Sequence, residues 1–112
     1  MTSSGESSGE KGLRIDAARE KDTWTIRLSG ELDLGNSEQL DAALLEAEAS
    51  DATRILLDVD ELRFIDSTGL RVILRATRRA ERTGDRLRVT RGKGYVADMF
   101  RLTALDRTIP FA

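Results

Sequence analysis

Phe64-Ile65-Asp66-Ser67-Thr68-Gly69-Leu70 joins an apolar pair to a carboxylate, two hydroxyls and a glycine, and an apolar helical pattern opens at Leu70. These residues describe a strand-side loop that delivers hydroxyls to the start of a helix. Asp, Ser and Thr all serve as N-caps, because their side-chain oxygens accept from free backbone N–H groups there. Gly69 leaves the first turn bare, so the backbone of another molecule could approach closely. A helix N-terminus also tolerates added negative charge, a phosphate included.

Working outward, Leu70, Ile73, Leu74 and Thr77 form the inward stripe of this helix, and Gly84 supplies a C′ stop. On the other side, Arg54 to Asp60 reads R-I-L-L-D-V-D. The nearly continuous run Ile55-Leu56-Leu57 predicts a central parallel strand covered on both faces. Further upstream, Trp24, Ile26 and Leu28 alternate with Thr25, Arg27 and Ser29, the period of a half-buried strand. Gly30-Glu31-Leu32-Asp33 carries it into a bend. Asn36 with Gln39 three residues later reads as a capping box, followed by Leu40, Ala43, Leu44 and Ala47 at helical spacing to about Ser50. Leu13 to Arg19 is a weaker strand pattern. Downstream, Leu87 to Thr90 predicts a short strand, Gly92 and Gly94 a loop, and Val96, Met99, Phe100 and Leu105 a third helix and its exit. Ile109-Pro110-Phe111 is expected to tuck back as a final extended piece. Trp24, Phe64, Met99 and Phe100 are read as core. An opening hairpin followed by alternating strand and helix predicts an α/β fold with a mixed sheet and parallel crossovers.

Composition narrows the function. The 112 residues suggest one domain. Met1 to Gly12 holds no apolar residue after Met1 and reads as a disordered leader, leaving 13–112 as the folded unit. A net charge of −2 gives no overall pull towards nucleic acid or an anionic membrane. Cysteine is absent, which removes disulfides and thiolate chemistry and fits a reducing cytoplasm. Histidine is absent too, so the commonest general base and transition-metal ligand are both missing. No apolar run is long enough to span a bilayer.

The element order, with G-E-L-D at 30–33 and F-I-D-S-T-G-L at 64–70, resembles the anti-sigma factor antagonist family, whose members are single STAS domains. The resemblance covers roughly Leu13 to the C-terminus. It implies the STAS fold: a mixed four- to five-stranded sheet with about three to four helices packed on it. The segment Met99 to Leu105 is similar to the family's closing helix, where a Gly often stands in place of Ala104. Many members also carry Gly directly after the motif Leu, where this chain has Arg71.

The resemblance further implies a phosphorylation switch at Ser67, the first hydroxyl after the motif Asp, with Thr68 as the secondary candidate. Its kinase would be an anti-sigma factor with a GHKL-type ATP site. The unphosphorylated antagonist would hold that partner and free a sigma factor, the phosphorylated form would let go, and a serine phosphatase would reset it. No catalysis of its own and no cofactor are implied.

Each residue also has a plainer reading. Ser67 and Thr68 could be ordinary helix caps. Asp33 is either a turn residue satisfying backbone N–H groups or part of a partner surface with Asp66. Asp58, Asp60 and Asp66 lie along one segment, but a Mg²⁺ site needs converging oxygens and strand residues alternate between faces. Arg71, Arg75, Arg78, Arg79 and Arg82 form a basic stripe, either a solvated helix face or a steering surface for an acidic partner. The alternative function class is a STAS docking subunit of a membrane transport assembly, such as an ABC lipid transporter, or of a stressosome-like particle.

Overall fold

The computed structural model describes residues 12–112. The expected leader therefore lies outside the described residues, except for Gly12. Four strands form one sheet in chain order: β1 (Leu13–Glu20), β2 (Thr23–Leu32), β3 (Arg54–Ile65) and β4 (Leu87–Val89). β1 runs antiparallel to β2, and β2, β3 and β4 run parallel. Three helices connect the parallel strands and follow the last: α1 (Ser37–Glu48), α2 (Ser67–Arg82) and α3 (Gly94–Leu102), with a short 3₁₀ turn at Leu105–Arg107. The expected C-terminal return is present, as Phe111 bridges to Val89 in parallel sense.

Only one face of the sheet is apolar. Ile26, Leu28, Ile55, Leu57, Leu87 and Val89 are buried in one cluster with Leu40 and Leu44 of α1, Ile73 and Ala76 of α2, and Val96 and Phe100 of α3. Thr25, Arg27, Leu56, Asp58 and Arg88 on the opposite face stay partly or fully exposed. This corrects the expectation for Ile55-Leu56-Leu57. The strand is central and parallel, yet Leu56 faces the open side, so centrality within the sheet did not require cover on both faces.

β3 also runs five residues past the expected Asp60. Its pairing with β2 shifts twice, between Arg27 and Ser29 and between Gly30 and Glu31. Each shift places an extra residue on β3, the arrangement of a β-bulge. Buried positions therefore move from alternate residues to Val59, Leu62 and Ile65, every third residue. Gly30, at φ +95°, sits at the second shift, where a side chain would collide with the Gly12 carbonyl.

Two arginines tie the helices down. Arg79 forks onto Glu48 of α1 (Nε to Oε1 2.8 Å, Nη2 to Oε2 3.0 Å) and reaches Asp41 at 3.4 Å. The Glu48 hydrogen bond holds its pKa above the usual arginine value, against the opposing effect of burial. Arg86 donates to the carbonyls of Glu48 (2.7 Å), Ser50 (3.3 Å) and Ala52 (2.6 Å), supplying the cation that the end of α1 lacks.

Candidate functional site

The carboxyl ends of β2 and β3 meet around Asp66. This residue is the N-cap of α2, in extended conformation, and its Oδ1 accepts from Gly69 N at 3.0 Å. Its Oδ2 accepts from Leu34 N at 3.1 Å. One carboxylate therefore caps a helix and tethers the β2–α1 loop to it. The loop is also tied internally. Asn36 Oδ1 accepts from Asp33 N at 2.9 Å, Asn36 Nδ2 donates to Glu31 O at 3.0 Å, and Asp33 Oδ1 accepts from Gly35 N at 3.0 Å. The expected capping box is absent, because the Asn36 side chain is spent on the bend and makes no bond to α1.

Ser67 is the first residue of α2 and is exposed. With Asp66 serving as cap, neither the Ser67 nor the Thr68 hydroxyl has a hydrogen-bond partner among the described residues. Thr68 is half-buried. Gly69 turns inward. A Cβ there would lie 2.7 Å from Leu32 Cγ and 3.0 Å from Ile65 Cγ1, so the missing side chain lets α2 press onto the sheet instead of admitting another molecule. Asp33, Asp66 and Ser67 are thus brought to one end of the sheet. Asp58 is not among them, as it lies on the open face and accepts from Arg27 Nε at 3.1 Å.

The basic stripe divides. Arg71, Arg75, Arg78 and Arg82 are exposed and make no ion pair among the described residues, whereas Arg79 is taken up by α1. Of three apolar side chains at this end, Leu34 and Tyr95 went unread in the sequence and Phe64 was read as core. Leu34, beside Asp33, is 75% exposed, and Phe64, expected in the core, stacks on the half-exposed Tyr95 with centroids 5.3 Å apart. Leu34 gave no sequence signal beyond its place in the bend, and the Phe64–Tyr95 contact joins two segments far apart in the chain.

A family profile described as "Mlab, STAS domain" matches residues 15–110. The chain belongs to the STAS domain family. An anti-sigma factor antagonist from Mycobacterium paratuberculosis shares the fold of this STAS domain with a TM-score of 0.79 at 21% identity, over 93% of this chain and 88% of that one. The anti-sigma factor antagonist SpoIIAA in its unphosphorylated form gives 0.72 at 27% identity over 88% and 87%, and the Bacillus SpoIIAA in its phosphorylated form gives 0.66 at 26% over 88% and 90%. BtrV of Bordetella bronchiseptica, provisionally named an anti-sigma factor antagonist, is 29% identical over 85 residues, 76% of this chain and 73% of that one. The resemblance carried by G-E-L-D and D-S-T-G-L therefore holds at the level of family and fold. No helix among the described residues is long and apolar enough to cross a membrane.

Proposed function

We propose that this STAS domain, residues 13–112, is a cytoplasmic anti-sigma factor antagonist without catalytic activity, switched by phosphorylation of Ser67. The observation that carries the reading is the division of labour at the start of α2. Asp66 does the capping, so the exposed Ser67 hydroxyl has no structural duty and is free to be modified. SpoIIAA, a relative of similar size, is known in unphosphorylated and phosphorylated forms.

In this reading the unmodified surface at Asp33, Leu34, Asp66, Ser67, Arg71 and Arg75 binds an anti-sigma factor that is also a GHKL-type serine kinase, and a sigma factor is set free. The kinase transfers the γ-phosphoryl group of ATP to Ser67 Oγ, releasing ADP and the hydroxyl proton. A serine phosphatase hydrolyses the ester and restores the binding form. The ester adds about −1.5 to −2 charges beside Asp33 and Asp66. About 1.4 kcal/mol of repulsion or desolvation is a tenfold loss of affinity, so release needs no unfolding.

The test is capture from native extract on wild-type, Ser67→Ala and Ser67→Asp baits. Wild type and Ser67→Ala should hold a kinase-like ATP-binding protein that Ser67→Asp loses. Equal retention of that protein on all three baits sinks the switch. Membrane transport subunits held by all three would assign the chain to the docking-subunit class.

A further inference from the structure

We propose that Arg71 is the receptor for the phosphate on Ser67, so that modification is read within the helix before any partner senses it. The inference rests on the assignment of Ser67 as the modified residue and deepens it. Ser67 and Arg71 stand four residues apart on α2, both exposed. Residues at that spacing are neighbours on the helix surface. Helical side chains lean towards the N-terminus, so the Arg71 side chain covers the turn that carries Ser67.

Charge points the same way. At about 100° per residue, Ser67, Arg78, Arg71, Arg82 and Arg75 fall within an arc of about 80°, with Glu81 at its edge. Arg71 makes no ion pair among the described residues, whereas Arg79, at the margin of the arc, is committed to Glu48 and Asp41. The nearest acid in sequence, Asp66, has both oxygens turned to backbone amides of Gly69 and Leu34. A phosphate on Ser67 therefore meets a free guanidinium on one side and an occupied carboxylate on the other. The planar fork of Arg71 matches two phosphate oxygens, which a Lys at this position would not. Capture removes the leading cation from the stripe, so the modified surface differs from the unmodified one by more than the added phosphate. The carboxylate of Ser67→Asp is shorter and singly charged, and reproduces only part of this.

The test is a phosphorus NMR titration of protein carrying phosphoserine at position 67, installed during translation. Wild type is compared with Arg71→Gln, Arg75→Gln and Arg71→Lys. Arg71→Gln should raise the second phosphate pKa by about 0.3 unit or more, a twofold change in proton affinity. Arg75→Gln, two turns from Ser67, should leave it unchanged, and Arg71→Lys should fall between. An unchanged pKa in Arg71→Gln, or an equal shift in Arg75→Gln, overturns the assignment. No kinase is needed, so this result stands apart from the search for an anti-sigma partner.

Discussion

At the residue scale, the motif separates two roles that its composition blurs. Asp66, Ser67 and Thr68 are all competent caps, and spacing alone does not choose among them. The choice is made by the β2–α1 loop, whose Leu34 amide needs an acceptor that a carboxylate with two oxygens can share with Gly69. Asp66→Ala should therefore lower stability in urea by about 1–2 kcal/mol, the usual worth of a strong N-cap. Ser67→Ala should change it by less than about 0.5 kcal/mol, the range of surface substitutions. A larger loss for Ser67→Ala would return the hydroxyl to a structural role. Ala104 makes a third case. It holds φ +61°, in the left-handed region where the resembling family often has Gly. Ala104→Gly should raise stability by up to about 1 kcal/mol, because the Cβ clash of that conformation disappears.

At the scale of elements, the departures from expectation share one cause. The period-two pattern of β3 ends at Val59 because two extra residues slip the pairing with β2, and a slipped strand no longer buries alternate positions. Arg79 left the basic stripe because α1 brings Glu48 and Asp41 alongside α2, a juxtaposition that no local pattern encodes. Phe64 left the core for the same kind of reason, through Tyr95 of α3. The amphipathic stripe of α2, apart from Leu74, which stays outside the buried face, and the alternation of β2 were legible because each depends on a single element meeting the core. Arg79→Ala should destabilise by about 1 kcal/mol, discounted for partial exposure, and a double-mutant cycle with Glu48→Ala should place most of that in the pair. Arg78→Ala, one residue away on the exposed face, should be near neutral. Gly69→Ala should cost about 1–3 kcal/mol in thermal or urea unfolding, since Leu32 and Ile65 must yield to the new methyl.

At the scale of the whole molecule, the α/β class, the mixed sheet and the family resemblance were within reach of the sequence, because strand and helix periods alternate cleanly after the opening hairpin. The one-sided sheet was not, since Leu56 reads as core until its neighbours on the open face, Arg27, Asp58 and Arg88, are placed beside it. The candidate site was legible through Asp66 and Ser67, and its apolar rim of Leu34, Phe64 and Tyr95 was not. The sheet order β1-β2-β3-β4 has a consequence for synthesis on the ribosome. Each strand after β1 pairs with the one made just before it, so the sheet grows in chain order and the edge of the newest strand waits only for the next one. The outer edge of β4 is the last of these, and it stays bare until Pro110 and Ala112 bond to Val89 at the end of the 112 residues. An exposed edge is where chains pair wrongly with one another, so losses to aggregation during expression should concentrate in variants that delay or remove that last closure.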